Sequence, residues 1–160
     1  MLDTDLQQAL VDELKEYVFK DGVQFVKDGQ LKPIHIYAQT LPDKVNEEED
    51  QERDAEWNYV VVMLGDEDIV DGKWKVEIHF SIGIIDEGED NQGNINIANM
   101  MNQIFLHMCK KGIIKDRYVM DTDEAYKRFE YGIEEPYYSG DLITYWRLPV
   151  PEMEMEVDMI

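Results

Sequence analysis

Between Lys73 and Ile85 the chain alternates without a break. Val76, Ile78, Phe80, Ile82 and Ile84 fall to one side, and Lys75, Glu77, His79, Ser81 and Gly83 to the other. Successive side chains of a strand point to opposite faces, so this period of two predicts a strand with one apolar and one polar face. Such a strand belongs in an antiparallel sheet. One face lies on a core, and the other meets solvent or a neighbouring subunit.

The segments around it supply the rest of that core. Leu6, Ala9, Leu10, Leu14, Tyr17 and Val18 recur at helical spacing, predicting a helix over Thr4–Lys20. Thr4 followed by Gln7 fits a capping box, Asp5 suits the positive end of the helix, and Asp21-Gly22 reads as its stop. A second helix is predicted over Ile95–Lys111. Ile97, Met100, Met101, Ile104, Phe105 and Met108 form its apolar face, Asn91 or Asn94 its cap, and Lys110-Lys111-Gly112 its end. Strands are expected at Pro33–Thr40, Trp57–Leu64, Tyr118–Met120, Lys127–Tyr131 and Asp141–Leu148, with a helical turn near Thr122–Tyr126 and an acidic turn over Gly65–Gly72. This order predicts a single α+β domain over residues 1–160. A mostly antiparallel sheet of about four to six strands is covered on one face by two helices. Asp43–Glu56 reads as a long acidic loop and Glu152–Ile160 as an extended tail.

The formal net charge is −21, and its placement matters more than its size. The segments 43–56, 66–71, 86–90 and 152–158 hold 20 of the 36 acids and two of the 15 basic residues. The remainder, 16 acids against 13 bases, is nearly neutral. Acids are thus gathered on loops and tails over a near-neutral scaffold, a surface that repels nucleic-acid phosphates. The simplest reading is a solubilising coat, and the functional one is charge that meets a basic partner or lines a surface along which DNA slides. No apolar run is long enough for a membrane helix. The acidic start Met1-Leu2-Asp3-Thr4-Asp5 does not read as a signal peptide, and the single Cys109 allows no intrachain disulfide; together they predict folding in a reducing cytoplasm.

Residues that carry chemistry are sparse. His35, His79 and His107 are not spaced with one another or with Cys109 as zinc ligands, and no cofactor is expected. Asp86-Glu87-Gly88-Glu89-Asp90-Asn91 and Asp66-Glu67-Asp68 lack the spacing of a calcium loop. Cys109 reads as a core-edge thiol. No nucleophile elbow or phosphate-cradling glycine loop is present, so the chain is not expected to be an enzyme.

Several segments together resemble the tail terminator (tail completion) proteins of long-tailed bacteriophages. They are Ile34–Pro42, Tyr59-Val60-Val61-Val62, the run Val76–Asp86, Gly93 with the helix Ile97–Ile104, Pro136-Tyr137-Tyr138-Ser139-Gly140, and Trp146-Arg147-Leu148-Pro149. The chain departs from that pattern in the acidic insertion Asn46–Glu56 and at Met63-Leu64. The resemblance implies a virion protein, assembled in the host cytoplasm, that forms a homo-oligomeric ring, hexameric by that likeness. Such a ring caps the tail tube, ends its polymerisation and joins it to neck and connector proteins, while DNA passes through the lumen without specific binding. A closed ring needs contacts between two different faces of each subunit. Candidate contact residues are Glu47, Glu48, Glu49 and Asp50 of the loop, Lys75, Glu77, His79 and Ser81 of the alternating strand, and Met153, Met155 and Val157 of the tail. Candidate lumen acids are Asp66, Glu67, Asp68, Asp86, Glu87, Glu89 and Asp90. Competing readings are another head–tail connector or head-completion protein, an acidic DNA mimic that occupies a basic protein surface, and an enzyme of unrecognised type.

Overall fold

A computed structural model describes residues 2–25, 31–39, 58–86, 93–130 and 137–150. The fold is α+β. Helix α1 spans Leu2–Glu13 and runs into a π-helical turn over Leu14–Val18, where the Phe19 amide donates to the Leu14 carbonyl at 2.7 Å. Strands β1 (Val23–Phe25) and β2 (Leu31–Pro33) pair antiparallel as a separate small sheet. The main sheet contains β3 (His35–Ala38), β4 (Tyr59–Val70), β5 (Lys73–Ile85), β6 (Ile113–Ile114), β7 (Tyr118–Phe129) and β8 (Tyr137–Leu148), in the order β3-β4-β5-β8-β7-β6. Only the β3–β4 pair of that sheet is parallel. Helix α2 (Gly93–Lys111) follows β5.

Strand β5 has the bounds that its alternation predicts. Val76, Ile78, Phe80, Ile82 and Ile84 are buried in one cluster with Leu6 and Leu10 of α1, Leu14 of the π-helical turn, and Ile97, Met100, Met101, Ile104 and Met108 of α2, with Phe105 partly buried against it. Both helices thus back the same side of the sheet. Helix α2 ends as expected at Gly112, whose φ of 73° and amide bond to the Met108 carbonyl at 2.7 Å close the last turn. The first helical segment instead ends at Val18, capped by Phe19 at φ −122°, and Asp21 and Gly22, both at positive φ, lie in a short 3-10 turn over Lys20–Gly22 that follows it.

Four other expectations need correcting. The Thr4–Gln7 capping box does not form, because α1 begins at Leu2. Gln7 is buried and donates to the Val62 carbonyl at 2.8 Å and to Gln39 Oε1 at 2.9 Å. Its amide satisfies a strand carbonyl beneath the helix, a stronger demand than an exposed cap. Asn94 lies inside the first turn of α2 rather than before it. The two short strands and helical turn expected between Tyr118 and Tyr131 are one strand, β7, broken by a bulge. Between Met120↔Trp146 and Ala125↔Thr144, residues 121–124 oppose Tyr145 alone, and the Asp123 amide donates to Asp121 Oδ1 at 2.9 Å. Finally, the acidic turn over Gly65–Gly72 is largely strand, as described below.

Two polar clusters tie the helices down. Glu13, nearly buried, accepts from His107 Nε2 at 2.8 Å and Lys111 Nζ at 2.7 Å, joining α1 to α2. Burial pushes its carboxyl up, but the two bonds outweigh that and hold it below its usual value. Asp5 accepts from Tyr118 Oη at 2.6 Å and Lys115 Nζ at 3.0 Å, joining α1 to the β6–β7 region. These bonds, Tyr118 first, hold Asp5 below its ordinary value, while burial and then the bond to Asp5 push Tyr118 up to about 12. Asp5 therefore stabilises the fold above its unfolded value of about 3.9, and that contribution is lost as pH falls through the lower folded value. The neutral Tyr118 contributes below about pH 10 and loses that as pH rises toward 12. Urea titrations at pH 7 and pH 3 should show a smaller acid loss in Asp5→Asn than in the unchanged chain. Equal losses would remove Asp5 from the acid limb.

Candidate assembly surface

The polar face of β5 lies on the side of the sheet away from both helices. Lys75, Glu77, His79 and Ser81 stand on it in a row, as the alternation requires. Across to β4 the row meets Val61 opposite Ser81 and Met63 opposite His79. Across to β8 it meets Arg147, Tyr145, Ile143 and Asp141 in turn. His79 Nε2 and Glu77 Oε1 are 2.5 Å apart, and the imidazole sits over Gly65, where a Cβ would come within 2.8 Å of Nε2. Tyr59, Val61 and Ile143 are buried on this face yet lie outside the helix-backed core. The Tyr59 ring rests against Gly83, and burial, with Asp141 nearby, pushes its hydroxyl up. What this face offers a neighbour is therefore the polar row, while Tyr59, Val61 and Ile143 beneath it are already shielded within the chain.

Beyond that face, β4 and β5 continue as a projecting hairpin. Its turn is the pair Asp71-Gly72, with φ of 54° and 74°, the backbone that a two-residue hairpin turn requires. A bulge sets Gly65 and Asp66 of β4 against Glu77 of β5, so the facing of side chains shifts along the outer arm. Asp66, Glu67, Asp68, Ile69 and Val70 are all exposed. The acids expected in a broad turn thus lie on a strand arm. Glu67 pairs across from Val76 on the helix side, while Asp68 pairs across from Lys75 on the helix-free side. Burial, and Asp3 beside it, push the Glu67 carboxyl up despite a 3.0 Å bond from Trp74 Nε1. Asp86 is partly buried and accepts from Asn96 Nδ2 of α2 at 2.8 Å, so it is held against the helix.

Where the hairpin leaves the sheet, the β7 bulge opens a cleft of about 220 Å³ next to the ends of β5 and β8. Lys73, Lys75 and Arg147 line it with Trp74, Tyr145 and Asp121. Lys75 and Arg147 are direct cross-strand partners. Lys75 Nζ bonds Glu124 Oε2 at 2.8 Å and lies 4.7 Å from the centre of the Tyr145 ring. The side chains of Lys73 and Arg147 form no hydrogen bond or ion pair among the described residues. This basic cleft in a chain of net charge −21 escapes a reading of the sequence, because Lys73 and Arg147 are 74 positions apart and only the β5–β8 register joins them.

Of the predicted contact residues, Lys75, Glu77, His79 and Ser81 share one surface. Glu47, Glu48, Glu49, Asp50, Met153, Met155 and Val157 lie outside the described residues, as do Glu87, Glu89 and Asp90 and the acidic loop and tail as a whole. Among the described residues no three His, Cys, Asp or Glu side chains are placed to hold a metal ion, and no helix is long and apolar enough to cross a membrane. Cys109 is partly buried, and that burial pushes its thiol up, away from the reactive thiolate. No protein-family model matches the chain, and no curated protein matches it either.

Proposed function

We propose that this chain is a ring-forming structural subunit of a long-tailed bacteriophage, a tail terminator that caps the tail tube and joins it to the neck. The observation that carries the reading is the one-sided sheet. Helices back one face, while the other presents the Lys75–Ser81 row around buried Tyr59, Val61 and Ile143, beside an acidic hairpin that projects from the body. Face and hairpin are different surfaces of one subunit, as the head-to-tail contact of a closed ring needs. The exposed Asp66 and Asp68 on the arm suit a passage along which DNA moves without adhering. The likeness in sequence to tail terminators supplies the specific identity.

Negative-stain microscopy of the purified full chain, alone at high concentration and mixed with tail tubes, tests the proposal. Closed rings, or tubes with capped ends, are expected. A chain that stays monomeric and leaves tubes uncapped overturns it. Deleting Asn46–Glu56 should weaken ring formation without unfolding the domain, and rings that form unaltered would remove that loop from the contact. A connector protein shares the ring and is distinguished by binding connectors rather than tubes. The net charge of −21 favours the acidic-mimic alternative, which predicts a monomer bound to a basic protein.

A further inference from the structure

We infer that the basic cleft of one copy receives the acidic segment Glu152–Asp158 of a second copy. The cleft brings together three of the chain's 15 basic residues, two of them without an acidic partner among the described residues. Lys75 and Arg147 stand directly opposite each other on neighbouring strands, where like charges repel. The Glu124 carboxylate, 2.8 Å from Lys75 Nζ, offsets part of that repulsion and Asp121 also lines the cleft, so the unmet positive charge lies at Lys73 and Arg147, where an incoming carboxylate would sit.

The segment has the matching pattern. Glu152, Glu154 and Glu156 recur every second residue, with Met153, Met155 and Val157 between them. In an extended chain such carboxylates lie on one side about 7 Å apart, the same spacing that β5 gives Lys73 and Lys75. The apolar side chains then have Trp74 and Val119 of the cleft to cover. The source is a second copy because of how β8 ends. Leu148, paired with Trp74 at the rim of the cleft, and Val150 each precede a proline, which disfavours at both residues the compact backbone that a reversal onto the same copy's Lys73 would take. The docking rests on the self-association proposed above and names one of its contacts.

Mixing 15N-labelled with unlabelled full chain and coupling amines to carboxylates with a carbodiimide tests it. The Lys75–Glu124 pair, at 2.8 Å, provides an intrachain control amide. Amides from Lys73 or Lys75 to Glu152, Glu154 or Glu156 are expected between light and heavy chains. They should fall about tenfold with Arg147→Glu, which exchanges an attractive charge for a repulsive one, and weaken in high salt. Amides confined to chains of one label, indifference to Arg147→Glu, or their absence while the control forms would each overturn the docking. Rings seen without these amides sink the docking alone, whereas mixed-label amides without closed rings sink the ring and keep the docking.

Discussion

Trp146→Ala is expected to lower the unfolding free energy by about 4 kcal/mol, the largest effect of any single change argued for this chain. The side chain is 1% exposed and is the largest of those fully enclosed. It lies opposite Val76 on one side and Met120 on the other, at the last regular pair before the β7 bulge. The bulge already departs from regular pairing there, so the sheet has little freedom to close over the lost volume. Trp146 also starts a short buried relay. Its Nε1 donates to Thr144 Oγ1 at 2.9 Å, and Thr144 Oγ1 donates to the Ile78 carbonyl at 3.0 Å. Trp146→Phe keeps the six-membered ring and leaves the Thr144 hydroxyl its bond to the Ile78 carbonyl, losing the indole donor and part of the buried volume, so a smaller loss of about 1–2 kcal/mol is expected. Urea unfolding at unchanged slope measures both. An alanine loss below about 1.5 kcal/mol would mean that the site collapses, contrary to the packing described.

Gly140→Val should also destabilise the domain, although valine is the better strand former. The gain from strand preference is at most about 1 kcal/mol. Against it stands a steric cost of about 3 kcal/mol for forcing atoms into a filled core. A Cβ at Gly140 would come within 2.8 Å of the Arg128 carbonyl oxygen, 2.7 Å of Met101 Cε and 3.1 Å of Ile97 Cγ2. The methionine can swing away, but the backbone of β7 cannot. The net expectation is a loss of about 2 kcal/mol, or a melting temperature lower by roughly 4–8 °C for a domain of this size. An unchanged or raised melting temperature would show that α2 does not sit on β8 as closely as described.

What the sequence made legible follows from range. The β5 strand, α2 and its glycine stop depend on neighbours within a few residues, and period and end signals show them directly. The fold class follows from their order. Gln7 was misread because its real partner, the Val62 carbonyl, is 55 positions away. The hairpin was partly misread for a local reason. Asp71-Gly72 is a strong two-residue turn signal, but the acids around it masked the strand arms that it joins. On the candidate surface, the row Lys75–Ser81 was visible as one strand face. The buried centre formed by Tyr59, Val61 and Ile143 was not, since it needs the β4–β5–β8 register. The Lys75–Arg147 opposition is hidden for the same reason.

The parallel step between β3 and β4 limits how the chain can be re-engineered. Two strands that run the same way cannot be joined by a tight reversal, so whatever links Ala38 to Tyr59 must climb back along the pairing before β4 can begin. Four strand residues rise roughly 13 Å. Residues 39–45 and 57–58 alone can reach about 30 Å when drawn out. Excising Asn46–Glu56 therefore leaves enough tether to preserve the strand order. A cut that removed most of what remains would force β3 to detach or turn around, and the outer margin of the sheet would be left bare.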